Sequence, residues 1–522
     1  MPKYYNTAQK WYITALLIYL SARNILFLRD IVSSGIWTIV FFAAGLLLAA
    51  YQIIKDPKCL AAPQMDFMLL FYLATAVSCV VNIQYGFADN IKALAMMFLF
   101  FFFWFPLSAV DKDERDRLMR HIAVTVSSIW FVLCVLSVVM YLFAIDYEVV
   151  GGVWGETNQG FSSRYMRLWG VFHDPNYAGA GCIATIFSCI YLCSATKKRG
   201  VIAGCAVNIV FQMFYIALSG SRSTVIVLIC AVTCYCLYHF MSGYPAVKEK
   251  AVKAWGRAAA MSAVCVVVCY ALVQAILYGA PYLQRACCAL PDAVVKGVCS
   301  AYESAYESSD LTFLSKNSIA VERNLLEGIT AEQDPEDEED ADVDETTDES
   351  EVNSIKRTDS DKFDTDVSNG RFTRWSDMLQ VFKSAPVFGT SPKNLAAFAK
   401  AHNPDTQMAK YNMAAHNSYL EVLTSTGLVG MAALLLLLGC GLVPILKKYF
   451  MFDGDPTFIL ATVICLEQAL TGIFISDLFF LFSIGSNLFW MSYGFAVHCG
   501  PESTRTSYVY QLTAKVLKRK DG

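Results

Sequence analysis

The sequence predicts an all-α, polytopic membrane protein with about twelve transmembrane helices, and three observations predict it. The chain of 522 residues is 56% hydrophobic and only 16% charged, with a mean hydropathy of +0.44, whereas about a quarter of the residues in a soluble domain are charged. Its apolar residues gather into runs of roughly 20, the length a helix needs to cross a bilayer. Lysine and arginine crowd into alternate gaps between those runs, the pattern that sets membrane orientation.

Taken in order, the candidate spans lie near 11–29, 35–54, 65–83, 91–110, 121–144, 176–195, 200–218, 223–241, 258–278, 424–446, 457–475 and 478–498. The first run follows a polar start and lacks a small-residue cleavage site, so it is expected to stay as a helix rather than leave as a signal peptide. Arg23 and Asn24 interrupt it. With Lys3 and Lys10 placed in the cytoplasm, the next cytoplasmic gaps hold Lys55 and Lys58, then Lys112, Arg115, Arg117 and Arg120, then Lys197, Lys198 and Arg199. Further on they hold Lys248, Lys250, Lys253 and Arg257, then Lys447 and Lys448, and finally the basic tail. The short outer gaps carry only Arg29, Lys92, Arg164, Arg167 and Arg222. The bias never switches sides, so both termini are expected in the cytoplasm.

The organisation that follows is a membrane domain over 1–278, an extracytoplasmic loop over 279–418 between helices nine and ten, a second membrane segment over 419–500 and a basic cytoplasmic tail over 501–522. Within the loop, residues 332–351 are dominated by Asp and Glu. Such a run repels itself and lacks apolar anchors, so a disordered insertion is expected near 330–366, and no EF-hand spacing marks it as a calcium site. The net charge of −4 reflects this segment and does not point to a nucleic-acid partner. From Ser368 the pattern turns helical: Trp375, Met378, Leu379 and Phe382 share one face, and Pro386 and Gly389 end the helix. Phe398 suggests another short helix. Most of the 18 cysteines lie inside apolar runs, as small buried residues. Cys287, Cys288 and Cys299 lie outside, where one pair could form a disulfide if that side is oxidising. No Cys/His spacing resembles a zinc site.

Charged and polar groups at membrane level mark the candidate chemistry. Arg222 sits in a tight outer turn between two apolar helices. It presents a planar fork of donors suited to phosphate, and it is read either as a grip on a lipid pyrophosphate or as interfacial snorkelling. Arg371 and Arg374 open the amphipathic helix, where the helix dipole disfavours cations. An anionic ligand would explain them; solvation or pairing with Asp377 is the other reading. His416 begins an apolar helix on the outer face, and an imidazole there can accept a proton from a sugar hydroxyl. Asn417 flanks it. Asp174 and Pro175 read as the cap and first residue of a helix, with Arg164, Arg167, His173 and Asn176 as residues that could line a site. No phosphate loop, nucleophile elbow or kinase signature appears.

Four separated stretches resemble the bacterial O-antigen ligase and polysaccharide polymerase family. They are Gly170 through His173, Pro175 and Asn176 before a helix; Ser219 through Arg222 between two helices; Gly370-Arg371 with Trp375, then Pro386 and Gly389; and His416-Asn417, nine residues, Gly427 and Gly430. The likeness covers roughly 165–430. It departs from the family after Gly389, where Thr390, Ser391, Pro392 and Lys393 replace a glycine-rich tail.

The resemblance implies a membrane glycosyltransferase in the bacterial cytoplasmic membrane, needing no cofactor or catalytic metal. Its partners would be a polyprenyl-pyrophosphate-linked glycan donor, a glycan or lipid acceptor, and the bilayer. By motif match, Arg222 and Arg371 would engage the donor pyrophosphate, with Arg374 able to replace Arg371, and His416 would be the base. Polymerisation of lipid-linked repeats is the expected activity, and ligation to a lipid or protein acceptor is its close rival. A lipid-linked oligosaccharide flippase would instead line a central cavity with cations, and no inverted repeat supports one. A scaffold without activity would tolerate loss of His416 or Arg222.

Overall fold

The computed structural model describes residues 3–32, 35–152, 155–162, 166–242, 248–307, 312–315, 370–412, 415–501 and 503–518. Arg164 and the acidic insertion lie outside them. Helices dominate: α1 (Lys3–Ala22), α2 (Leu26–Val32), α3 (Gly35–Lys55), α4 (Gln64–Val81), α5 (Ala88–Leu99), α6 (Lys112–Leu142), α7 (Pro175–Ser194), α8 (Arg199–Leu218), α9 (Arg222–Met241), α10 (Lys248–Cys288) and α11 (Asp292–Glu307). After the insertion come α12 (Arg371–Ser384), α13 (Leu395–His402), α14 (Gln407–Tyr411), α15 (Ser418–Tyr449), α16 (Pro456–Thr471), α17 (Ile484–His498) and α18 (Tyr508–Lys518).

Among the described residues, nine helices are long and apolar enough to cross a membrane, and α16 is a shorter apolar helix. The chain is a multi-pass membrane protein, but three of the twelve expected spans fall short. The run at 11–29 breaks at Arg23 and Asn24, where α1 ends and α2 begins. The runs at 457–475 and 478–498 form helices of 16 and 15 residues, separated by an irregular loop. The ninth span does not stop near 278 but continues to Cys288.

The fold is not purely helical. Strands β1 (Asp146–Gly152), β2 (Gly155–Ser162), β3 (Arg167–Gly170) and β4 (Thr312–Ser315) form an antiparallel sheet in the order β3-β2-β1-β4. β1, β2 and β3 fill the gap between the expected spans at 121–144 and 176–195. β1 and β2 pair antiparallel, and the distant β4 adds to the other edge of β1. The cysteines expected to offer a disulfide are all free, as are the other fifteen.

Polar side chains set the helix starts. Asp174 caps α7, accepting from the Asn176 amide at 2.7 Å, with Pro175 in the first turn. Asp455 caps α16 ahead of Pro456, and Ser483 with Ser486 forms a capping box on α17. Such caps satisfy amides that a helix start leaves open. The core is strongly aromatic: Trp104, Trp130, Trp490, Tyr141 and Tyr215 are fully buried. By contrast α10, whose apolar stretch is mostly unburied, turns Val264, Val267 and Val268 outward, as a lipid-facing helix does.

Candidate active site

The sheet, the α8–α9 turn, α12 and the start of α15 meet at one end of the helix bundle. The His416 segment anchors them. Asn417 caps α15 by accepting from the amides of Tyr419 and Leu420, each at 3.0 Å. The loop after α16 is stitched to it: Asn417 N–H donates to Ser476 Oγ (3.1 Å), Ser418 N–H to the Gly472 carbonyl (2.7 Å), Ser418 Oγ–H to the Ile475 carbonyl (2.7 Å), and Asp477 N–H to Ser418 Oγ (2.9 Å). His416, held next to these bonds, has φ +50, a left-handed conformation that few side chains adopt without strain.

α12 is tied to the same segment from the other side, where Trp375 Nε1–H donates to the Ala415 carbonyl at 3.2 Å. Met378 and Val381 form its buried face. Leu379, expected on that face, is exposed, because the helix packs through positions 374, 375, 378 and 381. The Arg371 guanidinium lies over the Phe474 ring, 5.5 Å from its centroid. Arg374 is partly buried and its Nε has no protein hydrogen-bond partner. Both arginines and Asp174 lie within electrostatic reach of His416.

The glycines of the Pro386–Gly389 and Gly427 motifs now have a physical reason. Gly427 breaks α15 with φ 65 and ψ −164. The released amides of Leu428 and Val429 donate to the carbonyls of Pro386 (2.8 Å) and Val387 (3.2 Å), while Thr390 and Ser391 amides donate to the carbonyls of Thr424 (3.0 Å) and Ser425 (2.8 Å). The two chains run so close that a Cβ on Gly427 would stand 2.3 Å from the Val387 carbonyl oxygen, and one on Gly389 (φ +68) 2.4 Å from Ser425 backbone. The altered tail after Gly389 is clamped too: Asn82 Nδ2–H donates to the Gly389 carbonyl, and Lys393 N–H to Asn90 Oδ1.

Arg222 stands one helix-pair away. Ser221 caps α9, its Oγ accepting from Thr224 N–H and donating to Asn176 Oδ1 at 2.8 Å. Arg167, from β3, is buried; it donates to the Ser219 carbonyl (2.5 Å) and to Asn176 Oδ1 (2.9 Å). Asn176 therefore joins the Arg222 turn to the α7 cap, and Asp174 in that cap faces His416. Arg222 itself is exposed and borders a cavity of about 520 Å³ lined by Ile216, Val225, Ile226, Tyr270 and Leu277 among others. His173 lies on the α1–α2 break, its amide donating to the Asn24 carbonyl at 3.0 Å, and its ring lies against Tyr177.

Sequence reasoning missed four charged residues in this region. Glu421 and Asp477 share the surroundings of Tyr177 with the already recognised Asp174, and Lys393 lies within electrostatic reach of Glu421 and Asp89. Asp477 is buried, and its Oδ1 has no protein hydrogen-bond partner. The fourth, Glu467, is fully buried inside α16, accepting from Gln468 Nε2 (2.8 Å) and Thr471 Oγ1 (3.2 Å). Charged residues inside or between apolar runs are themselves a signal, and Asp477, between the last two runs, could have been found by it.

The electrostatics suit a base beside a cationic grip. Burial lowers the His416 imidazole below the usual histidine range, Arg374 and Arg371 lower it further, and Asp174 partly opposes them. Burial pushes the Asp477 carboxyl up to about 7, against a hydrogen bond from Ser483 and with help from Asp174. Among the described residues no group of three His, Cys, Asp or Glu side chains could hold a metal ion. A histidine able to take a proton, beside fixed guanidinium groups, can activate a hydroxyl and stabilise a departing anion.

No curated protein matches the chain. The model of the O-antigen ligase family does match, over residues 207–435, a stretch that holds Arg222, Arg371, Arg374 and His416 and three of the four sequence stretches that resemble that family.

Proposed function

We propose that the protein transfers a glycan from a polyprenyl pyrophosphate donor to a hydroxyl acceptor, joining lipid-linked oligosaccharide repeats into a surface polysaccharide. The observation that carries this reading is His416, partly buried and strained at the start of α15, within electrostatic reach of Arg371 and Arg374. His416 takes the proton from the acceptor hydroxyl as its oxygen bonds to the anomeric carbon. The bond from that carbon to the pyrophosphate oxygen breaks, and its electron pair leaves with the pyrophosphate. Arg222 holds the donor headgroup, Arg371 and Arg374 meet that charge, and the proton on His416 passes to the departing pyrophosphate. The prenyl chain leaves the headgroup into the apolar cavity beside Arg222. The lysine and arginine bias puts the reaction on the outer face of the bacterial cytoplasmic membrane, with both termini inside.

The family description favours a second reading, ligation of a finished glycan to a lipid or protein acceptor. Surface-glycan length on gels tests both. A deletion strain should lose long chains and keep single repeats, and the wild-type gene should restore them while His416→Ala and Arg222→Ala do not, at equal protein levels. Long chains that accumulate on the lipid carrier would instead identify a ligase. Full restoration by both variants would overturn the catalytic assignment.

A further inference from the structure

Two kinds of charge gather around the start of α15, and an anionic pyrophosphate can use only one of them. Arg371 and Arg374 approach from α12. From the stitched loop after α16 and the first turn of α15 come Asp477 and Glu421, with Asp174 from the α7 cap. Burial raises Glu421 and Asp477 to about 7, so above that pH, where the binding is to be measured, they repel phosphate but accept hydrogen bonds from sugar hydroxyls. Asp477 is only 5% exposed, yet its Oδ1 meets no protein donor. Its other oxygen is held away at the start of α17, where a Cβ on Gly485 would lie 2.3 Å from Oδ2. Asp477 is also fixed in place, since its amide bonds Ser418 Oγ, two residues from His416. A buried carboxyl oxygen left open, on a loop bonded to the segment that carries the proposed base, is a vacant acceptor for a ligand hydroxyl. Lys393, its backbone clamped by Asn90, lies within electrostatic reach of Glu421.

We infer that Glu421 and Asp477, with Lys393 positioning Glu421, form the acceptor subsite, and that it takes an uncharged, hydroxyl-bearing sugar and turns away a uronic acid. This rests on the transferase reading for the word acceptor, but the sugar-binding chemistry is measurable without turnover. The donor sugar offers the same hydroxyls, and the test separates the two sources.

Full-length protein in nanodiscs would be probed by saturation-transfer difference NMR with methyl glucoside, methyl N-acetylglucosaminide and methyl glucuronide. Both neutral glycosides should bind, and the glucuronide about tenfold more weakly or less, because like charges are brought together. Asp477→Asn and Glu421→Gln, each checked for an unchanged melting temperature, should weaken neutral binding and relax rejection of the glucuronide. Lys393→Met should give a smaller loss. Equal binding of all three glycosides to wild type, or unchanged preference in both carboxamide variants, would overturn the subsite. A short-chain prenyl-pyrophosphate-linked glucose should leave methyl glucoside bound, whereas displacement would give the wall to the donor sugar and overturn the acceptor assignment. Absence of glycan transfer with sugar binding intact would instead fault the transferase reading.

Discussion

Arg222 and His416 both stand at the start of a long apolar helix, at the same end of the bundle, and they are held in opposite ways. Arg222 is exposed, on a short turn tied down through Ser221, Asn176 and Arg167, and it opens onto an apolar cavity. His416 is partly buried, strained at φ +50, and flanked by residues bonded to the α16–α17 loop on one side and to Trp375 on the other. A cation that meets a lipid headgroup needs reach and an open approach. A base that must meet one hydroxyl needs a fixed position, because small errors in geometry reduce rate steeply. In the proposed transferase, the loose start gathers the donor and the tight start does the chemistry.

The largest expected effect comes from removing the base. His416→Ala should lower transfer about 10²–10⁴-fold with little change in KM for the donor. His416→Gly sharpens the contrast, because glycine accepts the left-handed backbone. It should be as inactive but as stable as wild type or more so, by up to about 1 kcal/mol, in a thermal melt. A clear loss of stability would mean that the histidine side chain, not the backbone, holds the segment.

Next comes Arg222→Ala, with a loss of about 10²-fold at low donor that appears mainly in KM. Arg222→Lys should recover part of it, keeping the charge but not the fork. Gly427→Ala attacks the stitching under the tight start. The left-handed backbone and the overlap with Val387 together should destabilise by ~2–4 kcal/mol, seen as a lower melting temperature and a fall in kcat.

The smallest effect is on pH. Burial and two arginines depress His416, so the acid limb of kcat/KM should have its midpoint below the ordinary histidine value of about 6.5. Arg374→Gln removes a positive neighbour, which favours the imidazolium. The limb should therefore move upward, whatever the variant's overall rate.

Much of this contrast was legible in the sequence. Arg222, Arg371 and His416 stand out as cations or titratable groups where apolar runs begin, and Asp174 with Pro175 reads directly as a cap, as found. The twin glycines were legible as a motif but not as a mechanism, since only the folded chain brings Pro386 and Val387 against the broken helix. The sheet was missed because β4 pairs with β1 across more than a hundred residues, and pairing at that distance leaves no local period. Arg167 had looked like a site cation, yet it is buried against Ser219 and Asn176, which a charge count does not reveal. Asp477 carried a signal as a charge between two apolar runs, whereas nothing in the spacing of Glu421 foretells that one loop closes over the start of α15.

The most direct measurement is the rate of glycan transfer by purified protein as the lipid-linked donor is titrated, with Arg222→Ala beside His416→Ala. The proposed division of labour predicts that Arg222→Ala climbs toward the wild-type rate as donor saturates, while His416→Ala stays flat and slow at every concentration. Recovery of His416→Ala at high donor, or a saturated Arg222→Ala as slow as His416→Ala, would contradict it.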